Sequence, residues 1–152
     1  MRILCYGDSD TYGHDPRSPL GKPYPPDVRW TDRLARATGW EVLNAGLNGR
    51  EIPHLPGELR DAEALFAAAS PFDQAVVFLG SNDMMQGLSA QEVAARMEAF
   101  LGRLTAYPLL LLTPVPMVSG TWVTEERLVT ESAKLADYYK ALARRLGIVI
   151  RE

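Results

Sequence analysis

Five short apolar runs punctuate the chain: Arg2 to Tyr6, Glu41 to Asn44, Ala75 to Leu79, Leu109 to Leu112 and Ile148 to Ile150. The first four meet a glycine or proline within two residues of their end, and none alternates cleanly between apolar and polar positions. That is the pattern of strands covered on both faces of a parallel sheet. Between them the period shifts toward that of helices. Pro26 and Asp27 lead into Trp30, Leu34 and Ala37, with Gly39 as the stop; Leu59, Ala62, Leu65, Phe66 and Ala69 line a second helical face. A third helix starts at Ser89, whose hydroxyl and the Glu92 carboxylate form a capping box, and buries Val93, Met97, Phe100, Leu101 and Leu104. The fourth runs from about Glu125 to Leu146, carries Leu128, Leu135, Tyr139, Leu142 and Leu146, and stops at Gly147.

Strands separated by helices of this length form right-handed crossover units, which place parallel strands in one sheet with helices on both sides. The expected architecture is therefore α/β, a three-layer αβα sandwich in one domain over residues 1–152. The Pro/Gly-rich segment Asp15 to Asp27 reads as a loop over the carboxyl edge of the sheet. Length and composition agree: 152 residues that are 47% hydrophobic can bury a core without disulfides or a structural metal. Sixteen basic against nineteen acidic residues give a net charge of -3, with no basic run to track a phosphate backbone, so nucleic acid is not an expected partner. No uninterrupted apolar stretch is long enough to span a membrane, and the opening residues are too short a run for a signal peptide. The single cysteine, Cys5, sits in an apolar run and reads as a small buried hydrophobe, which fits a reducing, cytoplasmic setting.

In an open parallel sheet, ligands gather beyond the strand carboxyl ends. Three loops there combine glycine with short polar groups: Gly7-Asp8-Ser9-Asp10-Thr11, Asn44-Ala45-Gly46-Leu47-Asn48-Gly49-Arg50 and Gly80-Ser81-Asn82-Asp83. Tight turns of this composition leave backbone N–H groups free for a small anion or a developing oxyanion. Ser9, at a strand-to-helix corner, is the nucleophile candidate; read alone, it is more plainly a turn or capping serine. Asp8 either fixes the loop by accepting backbone N–H bonds or serves as a base, and the first role is favoured because adjacent side chains seldom aim at one atom. Asn82 can offer its amide to an oxyanion or open an Asx turn. Gly49 can add an unobstructed N–H.

Taken together, these blocks resemble the SGNH hydrolase superfamily, the GDSL-type esterases and lipases, over essentially the whole chain. Gly7-Asp8-Ser9-Asp10-Thr11-Tyr12-Gly13 is similar to its nucleophile block, Asn44 through Gly49 to the block ending in the oxyanion-hole glycine, and Gly80-Ser81-Asn82-Asp83 to the Gly-x-Asn-Asp block. Arg29-Trp30-Thr31, Leu47-Asn48-Gly49-Arg50 and Thr113-Pro114-Val115-Pro116 are similar to the arylesterase and acyltransferase-like branch, several members of which form oligomers. The resemblance implies a flavodoxin-like sheet of five strands in the order 2-1-3-4-5. It also implies hydrolysis of small aryl or acetyl esters through an acyl-enzyme, with acyl transfer to alcohols as an extension. Ser9, Gly49 and Asn82 would be the catalytic groups, supported by Asp8, Asp83 and Arg50, and no metal or organic cofactor is implied. Asp10, Tyr12, Trp30, Leu47, Pro116, Met117 and Trp122 are the candidates for the substrate pocket. The partners expected are a small ester and, within this branch, further copies of the chain.

Two features depart from the family. Its last block, Asp-x-x-His, follows the fifth strand and supplies the general base; here only His14 and His54 occur, neither in that setting. The expectation is a chain truncated before that block and before the final helix, inactive as it stands for want of a base. The second departure is Asp10, where the family more often carries leucine or another uncharged residue. Pointing inward, its charge would oppose a negative intermediate; facing solvent, it would change little. Rival readings are a carbohydrate acetylesterase, a non-catalytic small-anion or interaction domain, and, less favoured, a flavin or phosphate site.

Overall fold

The computed structural model describes residues 1–152. Five strands, β1 (Arg2–Gly7), β2 (Glu41–Gly46), β3 (Gln74–Phe78), β4 (Leu109–Leu112) and β5 (Val149–Arg151), form one sheet in the order β2-β1-β3-β4-β5. All neighbouring pairs are parallel. This is the flavodoxin-like α/β arrangement. Register aligns Gly46, Gly7, Phe78, Leu112 and Arg151 across the sheet, so the five carboxyl ends lie along one edge. The loops that leave this edge therefore start side by side.

Six helices complete the chain: α1 (Ser9–Tyr12), α2 (Trp30–Thr38), α3 (Pro56–Ala69), α4 (Ser81–Met85), α5 (Ala90–Gly102) and α6 (Glu126–Leu146). The capping box of α5 forms as its sequence dictates, with the Ser89 hydroxyl accepting from Glu92 N at 3.2 Å and the Glu92 carboxylate accepting from Ser89 N at 2.8 Å. Helices α2 and α6 end at Gly39 and Gly147 in the left-handed conformation. The first begins at Trp30, and Val28 N, donating to Pro25 O, turns the segment that leads into it. Two one-turn helices, α1 and α4, occupy stretches that read as loops.

The sheet has two unequal cores. On one face Leu4, Tyr6, Ala75, Val77, Leu109 and Leu111 pack against α3, α5 and α6 in a 22-residue buried cluster. Tyr6 lies at its centre, with ring centroids 5.4 Å from Phe66 and 5.8 Å from Phe100. On the other face Ile3, Cys5 and Val76 are buried beneath Trp30, Trp40, Val42, Leu110 and Leu112. Cys5 is fully buried, and burial pushes its thiol up to about 12, which makes it the inert hydrophobe its setting suggested.

Candidate active site

The turn after β1 is clamped between two strand ends. The Asp8 side chain caps α1 by accepting from Asp10 N at 3.0 Å, and Tyr12 N closes back on Asp8 O at 2.9 Å. Asn44, in β2, donates to Thr11 O at 2.7 Å and to the Thr31 hydroxyl at 2.9 Å, tying α1 and α2 to the sheet. The approach is so close that a Cβ at Gly46 would overlap Tyr12 N, and one at Gly7 would overlap the Thr11 side chain. Ser9 is thereby held at the first position of α1, partly exposed, with its hydroxyl bonded to no protein group. Asp8 does the loop-fixing job: it is 3% exposed, and burial above all raises its carboxyl to about 6.

The second and third loops are laced to the first through Arg50. Its guanidinium donates to Gly7 O at 2.9 Å and to Ala45 O, the ends of β1 and β2, and lies 4.1 Å over the Tyr6 ring. Its backbone carbonyl accepts from Asn82 Nδ2 at 3.1 Å. That bond occupies one N–H of the carboxamide and leaves the other free, one residue away from Gly49. Gly49 itself is exposed at a positive φ of 76°, in the turn closed by Arg50 N on Leu47 O. Asp83 is fully buried and accepts from Ile52 N at 3.1 and 3.2 Å and from Arg96 Nη1 at 3.0 Å. Gly80 precedes this turn at φ 135°, and a Cβ there would lie 2.6 Å from the Tyr139 hydroxyl, which donates to Leu79 O.

Two clefts meet at Ser9. One of about 430 Å³ is lined by Ser9, Asp10, His14, Pro16, Met85 and Trp122. The other, about 260 Å³, shares Ser9, Asp10 and His14 and adds Tyr24, Arg29 and Trp30 among its walls. Of the residues expected to form a pocket, Asp10, Trp30 and Trp122 thus stand beside Ser9. Leu47 does not: with Gly49 and Arg50 it lines a separate hollow of about 300 Å³ against α3. Tyr12 is also absent from these walls and points its hydroxyl toward Gly21 O at 3.5 Å. Met117 packs against the main core instead, held by its amide on the Ser132 hydroxyl, and Pro116 is exposed on the loop before α6. Met85, on α4, Pro16 and Tyr24 were not singled out from sequence. The loop from Asp15 to Asp27 is held to the Ser9 turn by Tyr24 N on Gly13 O at 2.7 Å.

Neither histidine bonds to the Ser9 hydroxyl. His14 Nδ1 lies 3.5 Å from the Asn48 amide, and His54 Nδ1 lies 2.9 Å from Ile52 O. No cluster of three or more His, Cys, Asp or Glu side chains has the form of a metal site, and no helix is long and apolar enough to cross a membrane. What this edge of the sheet contains is an unbonded serine hydroxyl at a strand-to-helix corner, and, on the two neighbouring loops, a glycine turn that lines a separate hollow and a carboxamide with one N–H unused.

The model of the GDSL-like lipase/acylhydrolase family matches residues 5–151. The chain belongs to this family. Solved structures agree. The native aryl esterase of M. smegmatis superposes with a TM-score of 0.85 at 26% identity, over 99% of this chain and 82% of that one. A putative arylesterase from Agrobacterium tumefaciens gives a TM-score of 0.83 at 27% identity, covering 99% and 82%. A carbohydrate acetylesterase family member from Sinorhizobium meliloti gives 0.83 at 26%, covering 99% and 81%. No curated protein matches the sequence significantly. Membership in the GDSL-like family makes this an ester hydrolase in its general chemistry. Within that frame, the holding roles of Asn44, Arg96 and Tyr139 were not read from sequence. Only the fold reveals them, because each acts on a partner at least 13 positions away.

Proposed function

We propose that the protein hydrolyses small aryl and acetyl esters through an acyl-enzyme on Ser9. The Ser9 hydroxyl attacks the ester carbonyl, while the Ser9 and Gly49 amides and the free N–H of Asn82 receive the negative oxygen. An alcohol entering the cleft in place of water would take the acyl group by the same route. In the family the proton acceptor is the imidazole of an Asp-x-x-His block; of the two histidines here, His14 lines the Ser9 clefts and His54 bonds Ile52 O, and neither bonds the Ser9 hydroxyl. The observation that carries the reading is the Asn82 carboxamide: one N–H is fixed on the Arg50 carbonyl, beside the Gly49 turn, and the other remains available. Free hydroxyl, glycine turn and free amide all belong to loops that leave aligned strand ends.

The test is hydrolysis of phenyl acetate by the protein expressed from the gene's full reading frame, against its Ser9→Ala variant. We expect a loss of about a thousandfold or more in kcat. Equal hydrolysis by both would remove Ser9 from the mechanism, and hydrolysis by neither would favour a non-catalytic binding domain. Carbohydrate deacetylation is a second reading, supported by the likeness to the Sinorhizobium meliloti protein. Acetylated sugars run beside phenyl acetate separate the two.

A further inference from the structure

Asp10 directly follows the nucleophile and lines both clefts that meet at Ser9. Its backbone is anchored at each end: Asp10 N donates to the Asp8 carboxylate at 3.0 Å, and Asp10 O accepts from the Trp30 indole at 3.2 Å. Its own carboxylate, by contrast, accepts no protein hydrogen bond and forms no ion pair, and the residue is exposed. The charged residues along this edge pair elsewhere, and His14, which lines both clefts with Asp10, faces the Asn48 amide at 3.5 Å. Asp83 is bound to Arg96 at 3.0 Å, Asp15 to Arg17 at 3.0 Å, and Arg29, the cation in the smaller cleft, to Asp32 at 2.5 Å.

An uncompensated anion beside Ser9 is a liability for a neutral ester. The tetrahedral intermediate is negative, and a like charge at its edge raises its energy. A positive charge on the substrate reverses the sign of that effect. The larger cleft is built to receive one: next to Asp10 stand Trp122, 77% exposed, and the softer surfaces of Met85 and Pro16. A carboxylate joined to an open aromatic face suits an alkylated ammonium, which gains ion pairing from the first and cation–π attraction from the second.

We propose that Asp10 makes the Ser9 cleft selective for esters carrying an ammonium group, seated between its carboxylate and Trp122. The proposal rests on Ser9 as the nucleophile. With acetylcholine as the probe, the Ser9 oxygen bonds to the acetyl carbon and the choline oxygen leaves with the proton taken from serine. Water then cleaves the acetyl-serine bond, releasing acetate and restoring the hydroxyl.

The experiment compares kcat/KM for acetylcholine and for 3,3-dimethylbutyl acetate, which has the same shape with carbon in place of nitrogen. The wild-type protein should prefer the cation by about tenfold or more. In Asp10→Asn the two values should move in opposite directions, acetylcholine slower and the neutral ester faster, bringing their ratio near one. Damage to folding would lower both together. A wild-type ratio near one, or a ratio that Asp10→Asn leaves unchanged, overturns the proposal. A second measurement needs no turnover: the Trp122 indole resonance is followed in Ser9→Ala while choline or 3,3-dimethylbutanol is added. Choline should shift it selectively, and Ser9→Ala combined with Asp10→Asn should abolish that preference. Equal or absent shifts with both alcohols overturn the proposal. Hydrolysis of neither ester would count against the Ser9 chemistry alone, and this binding comparison would then decide the role of Asp10.

Discussion

Replacing Asp8 by Asn tests whether the buried acid beside Ser9 is structural. Its carboxyl is raised from an ordinary 3.8 to about 6, by burial first and by the charges of Asp10 and Asp83 further down, against the opposing bond from Asp10 N. A proton is therefore held more tightly in the folded state than in the unfolded chain. The stability this confers is fully present below about pH 4 and is lost as pH rises through about 6. At about 1.4 kcal/mol per tenfold change in proton affinity, the loss attributable to Asp8 is about 3 kcal/mol at its upper limit. Asparagine retains an oxygen for Asp10 N but carries no charge, and its buried NH2 adds a penalty that does not vary with pH. The informative quantity is therefore the pH dependence rather than the absolute stability. Urea unfolding of both proteins at pH 4 and pH 7.5 should show the wild type losing about 2 to 3 kcal/mol more than Asp8→Asn across that interval. Curves parallel to within about 0.5 kcal/mol would show that the acid is not desolvated as its 3% exposure requires.

Asp83→Ala should destabilise the protein by about 3 to 5 kcal/mol in urea unfolding, because it strands Ile52 N and leaves Arg96 without its buried partner. Arg50→Ala removes the bonds to Gly7 O and Ala45 O and uncovers Tyr6; thermal unfolding should fall by about 2 to 10 °C, with Arg50→Lys recovering only part of it. Asn82→Ala should lower kcat for phenyl acetate by about 100- to 1000-fold with KM little changed, as expected for a group that bonds only the developing oxyanion.

What could be seen in the sequence follows from how local each signal is. The five strands were legible because a strand buried on both faces is a short apolar run whatever surrounds it. Helix α5 was legible because its cap is written in Ser89 and Glu92, three residues apart. The one-turn helices α1 and α4 were not, since four or five residues carry no period and their shape depends on neighbours. Thr11 is fixed by Asn44 from the next strand, and α4 by contacts such as Arg127 Nη2 on Met84 O. The candidates Ser9, Gly49 and Asn82 stood out through their glycine-rich settings, whereas most of the cleft lining did not. Tyr12, Leu47, Pro116 and Met117 are apolar or aromatic residues close in sequence to the motifs, and nothing local says that Met117 turns into the core while Met85 reaches the cleft.

The two motif acids show how the carboxyl edge keeps its reactive groups free. Asp8 precedes Ser9 and Asp83 follows Asn82; both are buried, and each accepts a main-chain amide, from Asp10 and from Ile52. In each pair the acid takes up the hydrogen bonds that shape the turn, so its neighbour need not. The Ser9 hydroxyl is left unbonded and Asn82 keeps one N–H unused. The arrangement has a cost: burial raises the Asp8 carboxyl, and the charges of Asp10 and then Asp83 raise it further. Arg96 compensates Asp83 directly, while Asp8 has only amides. The asymmetry explains why Asp8 is the group whose charge state should govern the pH dependence of folding.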